Sequence, residues 1–279
     1  MSWVDLKSDF ARVSSTLRCP VCHHSDGCLI HRSGEYAICY HEPSNVMWRT
    51  GFKHMLNNKE DVKEQIVKAP ETTPFLDVDT NFPILYSAYR AAISGISMEA
   101  RSKQLGVSVE SLDSLGIGWS NSKQVYTHPL FDNEWTVIGI QTQSYTGDKR
   151  VLPGSKLGLF MSMSFRDKPG VTFVTEGMSD TAAALTLGLN AVGRFNDCTG
   201  SDYLTKLLHG HRVYIIADND AGGIRGAEEL AIVLRANNMA RVIYLPSGTT
   251  PIKDLRAMLM VAGRGNTLHY IISEVNKSA

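Results

Sequence analysis

The 279-residue chain lacks the features that would place it in a membrane or outside the cell. No apolar run approaches the roughly 18 residues that a membrane-spanning helix needs. The amino-terminal segment has neither the basic region nor the apolar core of a secretory signal peptide. We therefore expect a cytoplasmic protein with no membrane partner.

The chain also lacks an excess of charge of either sign. Lysine plus arginine and aspartate plus glutamate each total 28, so the formal net charge is zero. A nucleic-acid-binding surface would therefore have to be a local patch. The hydrophobic share of 43% is sufficient for a packed core, and the length allows one large domain or two to three small ones.

Cysteine is scarce, and four of the five cysteines lie between Cys19 and Cys39. Because the chain has no secretion signal, this cluster indicates a metal site rather than disulfides. The Cys19-x-x-Cys22 knuckle supplies half of a zinc site. Two strand-like segments then flank Ser33-Gly34, which predicts a hairpin with a two-residue turn. In that register Cys28 lies directly opposite Cys39, where cross-strand Cβ atoms are about 4.5–5.5 Å apart.

The four cysteines together predict one tetrahedral Zn²⁺ ion. His41 is an alternative ligand, because it lies two residues past Cys39 on the same face of the strand and could replace Cys28. A module this small cannot fold on its apolar core alone, so we expect the zinc to be structural. Aromatic and basic residues accompany the cysteines, and Tyr36 and Trp48 are candidates for stacking on nucleic-acid bases. For Trp48, packing against the hairpin is an equally good interpretation.

Composition divides the chain into four predicted parts. Residues 1–56 form the zinc-binding module, which begins with a short helix over residues 1–18. Residues 57–81 form a flexible linker, because charged residues and prolines follow one another there without periodicity. For its charged start, residues 57–65, a fraying helix is the alternative interpretation. Residues 82–165 read as a mixed α+β subdomain, and residues 166–279 as an α/β domain with a Rossmann-like parallel sheet. The fold class is therefore α/β, or α+β for the chain as a whole.

Two acidic clusters follow strand-like apolar runs in the last part of the chain. One run ends at Glu176-Gly177, and the other ends at Asp218-Asn-Asp220. A helical pattern follows each run, and strand–helix alternation brings both strand ends to one edge of a parallel sheet. Asp218 and Asp220 are two residues apart, so they share a face of an extended chain. We therefore expect Glu176, Asp218 and Asp220 to converge at that edge.

Carboxylates held together repel one another, and a bound divalent cation removes that cost. Hard oxygen ligands with no nearby histidine or cysteine predict Mg²⁺ or Mn²⁺. The alternative is that these acids only cap helices, a role that suits Asp180 just before Thr181.

These motifs resemble the TOPRIM domain of bacterial and phage DNA primases, type IA and II topoisomerases and some nucleases. The resemblance rests on Glu176-Gly177-x-x-Asp180 and Asp218-Asn-Asp220, and it covers about Val171 to Gly263. It implies that Glu176, Asp218 and Asp220 hold a catalytic magnesium, with Asp180 as a further ligand. In that family a Lys-Asp pair follows the DxD strand, and its acid completes the metal site. Asp254 would take this role here, with helix capping as its alternative.

The segment before the acidic motifs is also similar to phage primases. The similarity rests on Gly116-Ile-Gly-Trp119, on Gly139-Ile-Gln141 and on the glycine-rich run that ends at Phe160. In that family this half forms the other wall of the catalytic groove. Three basic residues of its Gly/Ser-rich turns are candidates for binding nucleotide phosphates or template backbone, with a solvated hairpin as the alternative. They are Lys149, Arg150 and Lys156. The cysteine spacing C-x2-C-x5-C-x10-C likewise resembles the zinc module at the front of phage-type primases.

The resemblance implies a DNA primase in the cytoplasm of a bacterium or of a phage-infected bacterium. Such an enzyme joins ribonucleoside triphosphates into short RNA primers on single-stranded DNA, with the zinc module reading the template. No P-loop motif G-x-x-x-x-G-K-[ST] is present, so we expect the replicative helicase to be a separate chain. One alternative is a TOPRIM nuclease that uses the same carboxylates on water. Another is a non-catalytic, single-stranded-DNA-binding replication accessory protein. A topoisomerase would need a tyrosine nucleophile on a further large domain, for which the chain is too short.

Overall fold

The computed structural model describes residues 9–13, 17–25, 28–48, 51–68, 80–165, 170–246 and 252–277. The chain divides into two compact units, Met1–Leu76 and Asp77–Ala279. Within the described residues, no helix combines the length and apolar character that crossing a membrane requires.

The first unit contains an antiparallel sheet in the order β1-β2-β3-β5-β4, followed by one helix. Its described elements are β1 Phe10–Arg12, β2 Leu29–His31, β3 Tyr36–Cys39, β4 Met47–Trp48, β5 Gly51–Met55 and α1 Lys59–Lys68. The predicted hairpin register is confirmed, because Leu29 pairs with Ile38 and Ile30 with Ala37. Continuing that register by one residue places Cys28 opposite Cys39.

Two expectations for this unit need correction. The helix expected over residues 1–18 is wrong at Phe10–Arg12, which pair with β2 as a strand. The Phe10 ring packs edge-on against His31, with ring centroids 5.1 Å apart, so this contact outweighs local helix preference. Residues 1–8 and 14–16 of that prediction lie outside the described residues.

The start of the expected linker is helical. Val62 of α1 is buried against the cysteine-rich core, and Lys59 forms an ion pair of 3.1 Å with Glu35. The flexible segment therefore does not begin at residue 57, and residues 69–79 lie outside the described part of the chain. The division into four domains otherwise stays a prediction.

The second unit is built on one nine-stranded sheet. Its strands are β6 Gly118–Ser120, β7 Val125–Phe131, β8 Val137–Gln143, β9 Lys149–Val151, β10 Leu159–Met161, β11 Val171–Glu176, β12 Ala191–Arg194, β13 Arg212–Ala217 and β14 Met239–Tyr244. Its helices are α2 Phe82–Ala92, α3 Gly95–Leu105, α4 Val109–Ser114, α5 Gly177–Thr186, α6 Ser201–Leu207, α7 Ala221–Leu234 and α8 Leu255–Lys277.

Parallel and antiparallel halves are joined within this sheet. The strand order is β14-β13-β11-β12-β10-β7-β8-β9, with β6 paired to β7. Strands β11 to β14 are mutually parallel, whereas β10 is antiparallel to both β12 and β7. The sheet therefore runs without a break across the expected boundary at residues 165 and 166.

Both faces of the parallel half are buried, as its continuous apolar runs predict. Alternate residues of β13 enter different cores, with Tyr214 and Ile216 on one face and Val213 and Ile215 on the other. Helices α5 and α8 contribute to the first core, and α6 and α7 to the second. Burial on two sides fixes where each parallel strand ends, and therefore where the acidic residues lie.

The turn from β13 into α7 requires a glycine at position 223. A Cβ atom on Gly223 would lie 2.6 Å from the Cβ of Asp218 and 2.8 Å from its carbonyl oxygen. A Cβ atom on the neighbouring Gly222 would meet nothing closer than 3.4 Å. The start of α7 therefore lies directly against Asp218 only because residue 223 has no side chain.

We predict that Gly223→Ala lowers the free energy of unfolding by about 1–3 kcal/mol, because the backbone of Asp218 must move to admit the methyl group. Gly222→Ala is the matched control in the same helical turn, and it should change stability by less than about 1 kcal/mol. Urea unfolding of both variants measures this, and equal losses would contradict the close-approach argument.

Candidate metal centres and catalytic cavity

The four clustered cysteines are brought together by the hairpin and the knuckle. The sulfur atoms of Cys19, Cys22, Cys28 and Cys39 all lie within 4.8 Å of one another. Cys28 Sγ is 3.7 Å from Cys22 Sγ and 3.7 Å from Cys39 Sγ. Zn–S bonds of about 2.3 Å give a tetrahedron with edges of about 3.8 Å, so the cluster has the dimensions of a zinc site.

His41 lies beside this cluster. Its Nδ1 is 3.4 Å from both Cys22 Sγ and Cys28 Sγ, and it forms a second donor group with Cys22 and His24. His24 and His41 are exposed, whereas Cys28 is buried. Burial raises the pKa of the Cys28 thiol, so this sulfur would need a metal ion to persist as a thiolate at neutral pH. The geometry therefore favours four cysteine ligands with His41 outside the tetrahedron.

We predict one tightly bound Zn²⁺ per chain, lost in Cys28→Ser and retained in His41→Ala. The reason is that the sulfurs of Cys28 and Cys39 form a buried edge of the tetrahedron, whereas His41 is an exposed neighbour. Zinc content after purification, measured by metal analysis, decides between the two ligand sets. Retention in Cys28→Ser together with loss in His41→Ala would make His41 the fourth ligand.

The two aromatic candidates for base contacts lie in the same unit. The ring of Tyr36 stacks on His31 at 4.6 Å, and the ammonium of Lys53 lies 4.0 Å from its centroid. Tyr36 is therefore part of a cationic-aromatic cluster with His31 and Lys53. Trp48 belongs to strand β4, but its side chain lies outside the part of the chain that the structure describes.

A cavity of about 470 Å³ opens in the second unit where β11 and β13 end. Four acidic residues line it, each delivered by a different element. Glu176 ends β11, Asp218 follows β13, Asp180 lies in the first turn of α5, and Asp254 immediately precedes α8. The parallel strands therefore bring their acidic ends to one edge of the sheet, as expected.

The two most strongly affected carboxyls are Asp180 and Asp218. Burial, and then the charge of Asp254, raises the pKa of Asp180 to about 7. Burial, and then the charges of Asp180 and Glu176, raises the pKa of Asp218 to about 8. In metal-free protein the raised pKa values favour the protonated form of both carboxyls, and a bound cation would displace these protons.

Glu176 has a cationic partner in the next strand. Arg194 at the end of β12 is buried, and its Nη2 lies 3.7 Å from Glu176 Oε2. Arg194 Nη1 donates to the carbonyl oxygens of Asp197 and Gly226, at 2.7 and 3.1 Å, which fixes the guanidinium. Burial raises the pKa of Glu176 while Arg194 opposes that rise. Arg194 therefore places a positive charge beside Glu176 at the edge of the cavity, which partly offsets the cost of burying this carboxylate.

Three of the acids also accept hydrogen bonds from the backbone of helix starts. Asp220 Oδ1 accepts from Gly223 N at 2.8 Å, and Asp254 Oδ1 accepts from Ala257 N at 2.7 Å. Asp180 does not cap α5. Its Oδ1 instead accepts from the backbone N–H of Arg256, at 2.9 Å, in the first turn of α8. Asp180 Oδ2 accepts a further hydrogen bond from Ser179 Oγ, at 3.2 Å. Capping and cation binding are compatible here, because each carboxylate oxygen can accept more than one contact.

The expected convergence is incomplete for Asp220. This residue is exposed and does not line the cavity, although its charge contributes to the raised pKa of both Glu176 and Asp218. It leaves the strand direction because it becomes the N-cap of α7. Among the described residues, no three of these carboxylates have oxygens within 4.8 Å of one another.

The basic residues around the cavity are largely different from those expected. Lys149 lines it, whereas Arg150 and Lys156 are exposed and do not. The lining includes three cations that the sequence reasoning did not select, namely Arg101, Lys253 and Arg256. Arg101 carries one usable signal, because it occupies the same helical face as the apolar residues Met98 and Leu105.

We predict that Asp218→Asn raises the melting temperature of metal-free protein at pH 8. A carboxyl whose pKa is raised on folding lowers stability as the pH rises, here from about pH 4 to pH 8. The gain should therefore shrink as the pH falls towards 4. Asp220→Asn is the control, because Asp220 is exposed and asparagine can still cap Gly223. Melting curves in a chelator, with and without added Mg²⁺, test this. Identical pH dependence in Asp218→Asn and the natural protein would contradict it.

No protein-family model matches the sequence, and no curated protein sequence matches it. Solved structures do share its fold. The zinc-binding and RNA polymerase domains of the Aquifex aeolicus primase align with 97% of this chain and 82% of their own, at 17% identity and a TM-score of 0.56. The DnaG primase catalytic domain bound to single-stranded DNA covers 69% of this chain and 79% of its own, at 17% identity and a TM-score of 0.55.

The catalytic core of the E. coli primase gives a similar result. It covers 71% of this chain and 83% of its own length, at 15% identity and a TM-score of 0.51. At these identities the likeness concerns the arrangement of the chain rather than the chemistry of individual side chains. The chain therefore has the mixed α+β fold of the zinc-binding and RNA polymerase domains of bacterial DNA primases.

Proposed function

We propose that this protein is a DNA primase that synthesises short RNA primers on single-stranded DNA by nucleotidyl transfer dependent on Mg²⁺ or Mn²⁺. The observation that carries the proposal is the cavity at the ends of β11 and β13, which is lined by four carboxylates and four cationic residues within a primase-like fold. Carboxylates suit a divalent cation, and cations suit the phosphates of a nucleoside triphosphate.

The metal-binding residues in this proposal are Glu176, Asp180, Asp218, Asp220 and Asp254. Their fit to a divalent cation is supported by the donor set, which is all oxygen, and by the raised pKa values of Asp180 and Asp218. Bound there, Mg²⁺ would lower the pKa of the attacking 3′-hydroxyl and neutralise charge on the triphosphate. Glu176, Asp218 and Asp220 would carry the catalytic role.

The chain's own side chains would hold the reacting groups in place. Arg194 orients Glu176, and the backbone N–H of Arg256 orients Asp180, so both carboxylates keep a fixed direction towards the cavity. Lys149 lines the same cavity and would bind a phosphate of the nucleotide. Arg150 and Lys156 are exposed and lie outside the cavity lining, so they would contact the template backbone.

The zinc-bound first unit would read the template in this proposal. Its His31, Tyr36 and Lys53 cluster offers an aromatic surface and a positive charge, and Trp48 is a further stacking candidate. The zinc would be structural, since all four of its ligands are cysteines. A separate replicative helicase would supply the single-stranded template.

The direct test is incubation of the purified protein with single-stranded DNA, labelled ribonucleoside triphosphates and Mg²⁺. We expect short labelled oligoribonucleotides that are absent with chelator and reduced at least a hundredfold in Asp218→Asn. Asp218→Asn is expected to remain folded, so loss of product reports on chemistry.

The same reaction separates the two alternative functions. A TOPRIM nuclease would cleave the DNA in Mg²⁺ without any added nucleotide. A non-catalytic single-stranded-DNA-binding accessory protein would bind the DNA and give neither cleavage nor product. Either outcome would overturn the primase proposal.

A further inference from the structure

Arg101 of α3 is a buried cation without an acidic partner. It is 1% exposed, and among the described residues it forms no ion pair. Its Nε is buried and has no hydrogen-bond partner there. Buried charges in proteins are ordinarily paired with an opposite charge or with a metal-bound group. Arg194 follows that rule through Glu176, whereas Arg101 does not.

Neutral groups hold the Arg101 guanidinium instead. Nη1 donates to Gln104 Oε1 at 2.7 Å, and Nη2 donates to Gln143 Oε1. The guanidinium also lies over the ring of Tyr126, with Cζ 4.7 Å from the centroid. These contacts fix the position of the group, and the amide and phenol groups bring no formal charge to cancel its own.

The two glutamine amides are themselves oriented by backbone. Gln104 Nε2 donates to the carbonyl oxygen of Tyr145 at 2.7 Å, and Gln143 Nε2 donates to that of Gly147 at 3.2 Å. Each amide therefore turns its N–H group to the 144–148 turn and its oxygen to Arg101. The two amide oxygens therefore favour a cation between them. The hydrogen bonds from the amide N–H groups keep each amide from rotating by 180°.

The cavity that Arg101 lines is also lined by acidic residues. Arg101, Gln104, Gln143 and Gly147 line the same 470 Å³ space as Asp180 and Asp218. Burial lowers the pKa of Arg101 to about 10, so the guanidinium remains charged at neutral pH. A fixed, desolvated charge of this kind is expensive for the folded chain alone, and an anion in the cavity would compensate it.

We propose that Arg101, clamped by Gln104 and Gln143, is the receptor for the polyphosphate of the incoming nucleotide. The identification of the anion as a triphosphate rests on the proposed function. The inference that Arg101 binds an anion rests on the burial of its side chain and on its neutral partners. Because the clamp depends on backbone carbonyls of the 144–148 turn, bound polyphosphate also stabilises that turn. Arg101 would therefore bind nucleotide phosphates, the role for which the sequence indicated Lys149, Arg150 and Lys156.

The test measures binding without synthesis. We titrate the full chain with inorganic tripolyphosphate and with ATP, in Mg²⁺ and without DNA, by calorimetry. Arg101→Gln should weaken both by about 10- to 100-fold, the scale of a lost charge-assisted hydrogen bond. It should also raise the melting temperature of ligand-free protein, because it removes an uncompensated buried charge. Arg241→Gln, on the exposed edge strand β14, is the matched control and should change neither property.

A second variant keeps the arginine and cancels its charge. Gln143→Glu should pair with Arg101, preserve or raise the melting temperature, and weaken tripolyphosphate binding about as much as Arg101→Gln does. Unchanged tripolyphosphate affinity in both variants would overturn the inference, even if primers are made. Arg101-dependent binding in a protein that makes no primers would retain the receptor and overturn the proposed function instead.

Discussion

The repulsion among carboxylates at the ends of two parallel strands is the constraint on which the second unit depends. Two-sided burial of the sheet delivers these strand ends to one edge, and partial burial there weakens the solvent screening that exposed acids receive. Two kinds of contact reduce this repulsion. Arg194 lies beside Glu176, and backbone N–H groups donate to Asp180, Asp220 and Asp254. Burial and the repulsion that remains raise the pKa of Asp180 and of Asp218, and a divalent cation bound there would relieve this repulsion.

The first unit shows the same physical logic with softer donors. Four sulfurs occupy the dimensions of a tetrahedral zinc site, and a buried thiol such as Cys28 favours its proton until a metal replaces it. The apolar core around these cysteines is small and includes only a few larger side chains, such as Leu17, Ile30 and Val62. Metal binding and folding should therefore be closely coupled in this unit, whereas the larger second unit has two extensive cores of its own.

Sequence patterns predicted those parts of the structure that depend on local periodicity. The hairpin register, the paired cysteines, the buried strands β11 and β13, and the acids at their ends all follow from spacing and strand–helix alternation. The patterns failed where tertiary contacts decide. Phe10 joins a sheet through a partner 21 positions away, and Asp220 turns away to cap α7. The position of the Arg101 guanidinium depends on glutamines of two different elements. No local pattern specifies such long-range partners.

The unbroken sheet has a mechanical consequence for the cavity. Hydrogen-bonded strands connect the acidic ends of β11 and β13 with β8 and β9, which carry Gln143 and Lys149. The strands that carry these residues therefore belong to one hydrogen-bonded sheet. The spacing of its strands, rather than a hinge, sets the distance between the residues. Substrates of different size would have to be accommodated by the 144–148 turn and by side-chain rotation. Such a site would select among substrates by its fixed width, without closing around them.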